Sequence, residues 1–162
     1  MEESVLPPET RAGAGFELTR VRQFIIFLDN RVGRLQTLVS AFEDQEARIV
    51  AISIEESAEA ALVRMICSNP DLGREVLRRS GFAFGESELL AVELSPKMKQ
   101  PLMAICAALL SAELNIHYAY PLLLTPYGPT LALYVDDPTL AAQILIRKGF
   151  KLIGESDLNS EC

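Results

Sequence analysis

Leu35, Leu38, Val39 and Phe42 lie at i, i+3, i+4 and i+7, the apolar stripe of an amphipathic helix. Leu102, Ile105, Cys106 and Leu109 repeat that stripe 67 residues later. A second helix is predicted from Asn69-Pro70, where Asn caps free amides and Pro suits the first turn, to a stop before Gly81. Asp137-Pro138 and Gly149 copy both signals, and inside these helices Leu72, Val76 and Leu77 match Leu140, Ile144 and Leu145. The exits Gly81-Phe82 and Gly149-Phe150 are identical, and each copy then reaches Gly-Glu-Ser, at 85–87 and 154–156. A self-match this long marks a duplication.

Between the helices lie two β-rich segments per copy, near 48–55 and 61–67 in the first and near 115–123 and 130–135 in the second. Apolar runs precede each first helix, Phe24 to Leu28 and Leu89 to Leu94. The order is β-α-β-β-α-β twice, an α+β chain of two tandem ferredoxin-like units. A unit of about 65 residues has a marginal core and leaves strand edges unpaired, so the antiparallel sheets are expected to pack side by side. The expected division is a flexible tail over 1–20, a first unit over 21–86 and a second over 87–158. One mismatch remains. The bulky positions of the second strand, Val50, Ile52 and Ile54, are out of phase with Ile116, Tyr118 and Tyr120. That requires a bulge or strands covered on both faces, and coverage by the other copy is the favoured cause.

Composition narrows function. With 49% hydrophobic and 23% charged residues, the 162-residue chain has a globular balance. Its net charge of −7 and lack of basic runs disfavour nucleic acid and anionic membranes. No apolar stretch reaches the roughly 18 to 20 residues that cross a bilayer, and Glu2 and Glu3 stand where a signal peptide carries basic residues. A cytoplasmic protein is expected. Three cysteines and one histidine, with no CxxC, suggest neither a disulfide framework nor a metal site, and Cys67 and Cys106 are read as core residues. No nucleophile-base set, paired carboxylates or phosphate loop emerges, so neither enzyme activity nor a cofactor is expected.

The segment Phe24-Ile25-Ile26-Phe27-Leu28-Asp29-Asn30-Arg31-Val32-Gly33-Arg34-Leu35 resembles the opening of an ACT domain. Asn30, Gly33 and Leu35 fit the family's polar residue followed by Pro-Gly-x-Leu, with Val32 where Pro is usual. Glu113-Leu114-Asn115-Ile116 is similar to the family's passage into the second strand, whereas Ser95 to Pro101 lacks the loop glycine. The resemblance covers roughly residues 22–157 and implies a β-α-β-β-α-β regulatory module of amino-acid metabolism. Such modules commonly bind an amino acid where two domains meet, and tandem forms without an attached enzyme are a known type.

On that reading, backbone amides at Asn30–Gly33 favour an α-carboxylate, and Gly33 lets the ligand approach the main chain. The side-chain oxygens of Asn30 and Asn115 accept from an ammonium, and Asp29 assists by charge. Arg48 stands where the second copy has Asn115. One composite site is therefore expected, joining Asn30, Arg31, Val32 and Gly33 to Asn115 and His117, with the pseudo-symmetric site weak or absent. Plain structural readings stay open beside it: a tight turn at Gly33, a turn residue at Asn115, a hydrogen-bonded structural histidine at His117. Tyr118, Tyr120, Tyr127 and Tyr134 could stack bases on a sheet of this topology, but the acidic charge favours core or interface packing. The expected protein is an amino-acid sensor that forms a homodimer and adjusts a separate enzyme or transporter. The alternative is a pure interaction module without ligand.

Overall fold

The computed structural model describes residues 19–160. Its elements, in order, are β1 (Arg20–Asp29), α1 (Arg34–Ser40), β2 (Ile49–Glu56), β3 (Ala60–Cys67), α2 (Pro70–Arg79), β4 (Ala83–Glu93), α3 (Pro101–Ser111), β5 (Ile116–Pro121), β6 (Thr130–Val135), α4 (Pro138–Arg147), β7 (Leu152–Ile153) and α5 (Glu155–Asn159). The expected tail over 1–20 falls outside the described residues up to 18, and Arg20 already belongs to β1.

The strands form one seven-stranded antiparallel sheet in the order β2-β3-β1-β4-β6-β5, with β7 also on β4. Strand β4 is the joint. Residues Ala83–Leu90 pair with β1 as the last strand of the first unit, and Leu90–Glu93 pair with β6 as the first strand of the second. Since Leu90 pairs with both, β1 and β6 flank opposite sides. Since Ala91 pairs with β6 and β7, β7 lies on the β1 side. The units thus lie side by side on a shared strand, with no linker between them.

Alternation along the strands sorts side chains into three clusters. Phe24, Ile26 and Leu28 of β1 pack with Leu38, Val76 and Leu77 of α1 and α2. Leu90 and Val92 of β4 pack with Ile105, Leu109, Ala142 and Leu145 of α3 and α4. Their neighbours Leu89 and Ala91 turn the other way, into a third cluster with Val21, Val50, Ile66, Tyr120, Leu122, Ala132 and Ile153. That cluster draws on both units and is the seam between them.

The phase mismatch of the second strands comes from strands covered on both faces, since Ile52 packs on the helix side of the first unit while Tyr118 and Tyr120 pack at the seam. A bulge shared by both copies adds no phase difference. Register shifts occur between Ile49 and Ala51 and between Ile116 and Tyr118, so Val50 and His117 are equivalent bulged residues. The bulge turns Ile49 and Ile116 toward their helices and puts Val50, Ala51, Tyr118 and Tyr120 at the seam. The Val50 carbonyl accepts from Leu123 N–H at 2.7 Å, which ties the first unit's bulge to the second unit's main chain.

One expectation is corrected. Cys67 is buried, and burial pushes its thiol up to about 12, but Cys106 is exposed, as is Leu102. Helix α3 buries Ile105, Ala108 and Leu109 instead. Nearly every residue of α3 is apolar, so periodicity alone does not choose its inner face. The repeated Gly-Glu-Ser lies in strand β4 in the first copy but opens α5 in the second. There Asp157 accepts from Gly154 N–H at 2.8 Å and starts the helix.

Candidate functional site

The loop between β1 and α1 is exposed along Asp29–Gly33. Gly33, at φ 87°, takes a left-handed conformation that strains any residue with a Cβ, and it caps α1 without a side-chain hydrogen bond. Arg31 and Arg34 both bind the Asp29 carboxylate, Arg34 Nε at 2.6 Å. Their hydrogen bonds, Arg31 first, hold the Asp29 carboxyl below its ordinary range. With Arg34 at the start of α1 included, two guanidinium groups against one carboxylate leave Asp29–Arg34 at +1 within a chain of net charge −7. Among the described residues the Val32 and Gly33 amides donate to no protein acceptor, and the Asn30 side chain makes no hydrogen bond.

Asn115 and His117 meet on Asp136. Asn115 N–H donates to Asp136 Oδ2 at 2.9 Å, and His117 Nε2 lies 2.5 Å from Oδ1. The backbone amide of Asn115, and after it His117, lower the Asp136 carboxyl. The His117 ring also lies 5.7 Å from that of Tyr134. No hydrogen bond, ion pair or ring contact joins Asp29–Gly33 to Asn115 or His117 among the described residues. The structure therefore gathers the sequence-derived residues into two groups, one per unit.

At the seam the tyrosines do what packing predicts. Gln23, fully buried, donates to Ser87 Oγ at 2.9 Å and to the Tyr118 hydroxyl at 2.5 Å, and accepts from Tyr120 at 2.7 Å. Burial raises the Tyr120 hydroxyl well above its ordinary value. Tyr118 stacks on Tyr134 with ring centroids 4.9 Å apart, and the Arg64 guanidinium carbon lies 3.9 Å from the Tyr118 centroid. Tyr127 differs: it is exposed, bonded to Asp157 and covered by Lys151.

A polar cleft of about 180 Å³ opens at the same seam, lined by Arg22, Asn69 and Asp71 from the first unit and Glu155, Ser156 and Asn159 from the second. Arg22 grips Glu155 through Nε at 2.8 Å and Nη2 at 3.1 Å and reaches Asp71 at 2.9 Å. The hydrogen bond from Arg22 is the main reason the Asp71 carboxyl is lowered. These residues were not singled out by sequence reasoning. The repeated Gly-Glu-Ser was the available signal, since Glu86 and Glu155 each hold an arginine, Arg74 at 2.8 Å and Arg22 at 2.8 Å. The partner of Glu155 lies 133 residues away, beyond any local pattern.

Among the described residues no group of three or more His, Cys, Asp or Glu could hold a metal ion, and no helix is long and apolar enough to cross a membrane.

Sheet order, shared strand and seam define a fused pair of ferredoxin-like α+β units. The family model described as an ACT domain pair matches residues 19–161, so the chain belongs to the ACT domain pair family. Among similar solved structures is protein BT0572 from Bacteroides thetaiotaomicron, 22% identical with a TM-score of 0.78, the match covering 88% of this chain and 98% of that one. Another is the ligand-free regulatory subunit of aspartate kinase from Thermus thermophilus, 10% identical with a TM-score of 0.54 over 80% of this chain and 92% of that one. The aspartokinase alpha and beta subunits match at 15% identity and a TM-score of 0.51 over 80% and 91%. At these identities the likeness speaks to the fold. No curated protein matches the chain.

Proposed function

We propose that this chain is a non-enzymatic regulatory module that binds a small molecule, an amino acid, and thereby adjusts a separate enzyme or transporter. The observation that carries the reading is the Asp29–Arg34 segment, which keeps a net charge of +1 and the uncommitted amides of Val32 and Gly33 in an acidic chain. An α-carboxylate suits that loop. An ammonium suits the Asn115 and His117 side, where Asp136 supplies negative charge. Family membership and a structural neighbour named as a regulatory subunit of aspartate kinase support the same role. A ligand that touches both units favours one arrangement of the pair, and shifts the equilibrium by no more than its preference for that arrangement.

A thermal-shift screen of the full chain against amino acids at millimolar concentration tests this. A ligand at ten times its dissociation constant adds about 1.4 kcal/mol of stability. Asn30→Ala and Asn115→Ala each abolish the shift if the composite site is correct. No shift across the panel removes the ligand reading and leaves an interaction module.

The seam cleft is a second location for the same function, favoured by its lining from both units and its charges of both signs. At about 30 Å³ per water it has room for roughly six waters or one small polar molecule. Retention of the shift in Asn30→Ala together with its loss in Asn159→Ala points there.

A further inference from the structure

The first helices of the two units stand at equivalent places in the fold, and one serves as a control for the other. The outward stripe of α1 and the turn after it is Gln36, Val39, Ser40 and Glu43. Shifted by 67 residues, the same positions on α3 are Met103, Cys106, Ala107 and Leu110. These again lie at i, i+3, i+4 and i+7, so α3 carries a second apolar stripe on the side away from its core. Leu102, Met103 and Leu110 are 53%, 64% and 75% exposed, and Cys106 is exposed between them. From Pro101 to Ser111 the helix has no charged residue. Single exposed apolar side chains are ordinary; a continuous uncharged strip along a whole helix marks a surface that is normally covered.

We propose that a second copy of this chain covers it, with α3 lying antiparallel against its counterpart across a two-fold axis. Three features select a second copy. First, a groove of about 310 Å³ runs beside the stripe, lined by Met98, Ala104, Ala107, Ala108 and Phe150 together with Ser111 and one charged residue, the exposed Lys148. Projecting side chains and the groove to receive them occupy one face, as a self-complementary contact requires. Second, two chains of net charge −7 repel, and the uncharged α3 adds nothing to that repulsion where they touch. Third, the two ends of α3 carry opposite charges. Lys97 and Lys99 are exposed before it and Glu113 is exposed after it, none of them in an ion pair among the described residues. An antiparallel pairing brings the lysines of each copy to the glutamate of the other. Cys106 is the midpoint of Pro101–Ser111, so the axis sets the two Cys106 residues face to face.

This surface goes beyond the proposed function, and its test needs no ligand, so either can fail alone. Sedimentation of the full chain across a range of concentrations should show the mass rising to twice that of one chain. Leu110→Glu, at a position exposed enough to leave folding intact, should weaken the dimer by about thirtyfold or more, as expected of a central interface side chain. Glu113→Lys should weaken it less, and adding Lys97→Glu and Lys99→Glu should restore it. In a Cys162→Ser background, diamide should join two chains through Cys106, taking up the two electrons and two protons the thiols release, and Cys106→Ser should abolish the link. A chain that stays monomeric at every concentration overturns the proposal. So does a dimer indifferent to Leu110→Glu, or one that diamide fails to link through Cys106.

Discussion

The two units differ least in the middle and most on the outside. Around their cores, position matches position: Leu77 and Leu145 are both fully buried, and Asn69 and Asp137 accept from Leu72 and Leu140 amides at 3.2 and 3.0 Å. On the outer flank of the first helix, Gln36, Ser40 and Glu43 give way to Met103, Ala107 and Leu110. A buried position is held by what surrounds it, so a duplicated core stays alike. An outer position is free to vary, so what stands out on the outside is a change of character, from polar in the first unit to apolar in the second.

One exchange inside the cores shows how closely they correspond. A Cβ added to Gly73 meets Cys67 Sγ at 3.0 Å and a ring carbon of Phe24 at 3.1 Å. At the equivalent places the second unit has Ala141 and, by strand register, Leu90, both fully buried. A larger helix residue there is matched by a smaller strand residue, at constant packing.

The comparison can be broken by substitution. The largest effect is expected from Leu77→Ala and Leu145→Ala, each costing about 2–5 kcal/mol as large-to-small changes in a filled core. In urea denaturation both variants should unfold in a single transition, since β4 belongs to both units. A biphasic curve, with each variant shifting only one phase, would separate the twins. Gly73→Ala should cost less, on the order of 1 kcal/mol net, because overpacking exceeds the gain in helix propensity. The same test in a Phe24→Leu background should show the cost relieved, and an unchanged cost would deny the volume exchange. Smallest are the caps: Asn69→Ala and Asp137→Ala should each lose about 1 kcal/mol, read as equal shifts in the urea midpoint. Unequal shifts would mean the two second helices are not equally dependent on their first turns.

What the sequence disclosed follows from how far each signal reaches. Helix starts at Asn69-Pro70 and Asp137-Pro138, the strands around Ile49 and Thr130 and the duplication itself are written within a few residues of one another. The site was only partly legible. Asp29–Gly33 forms one exposed loop as its composition suggests, but the role of Asp136 in holding Asn115 and His117 depends on a residue 21 positions from Asn115 that no local motif marks. Arg22 and Glu155 meet only because β1 and β7 share the same side of β4. The inner face of α3 was unreadable because both of its faces are apolar, and the matching bulges at Val50 and His117 left no trace in the pattern because they shift both copies alike.

Strand β4 has a mechanical meaning. Where tandem modules are usually strung on flexible tethers, eleven residues of hydrogen-bonded backbone here form an axle common to both. One half cannot swing away from the other without tearing a ladder, so parting the two costs backbone hydrogen bonds that a flexible tether would not.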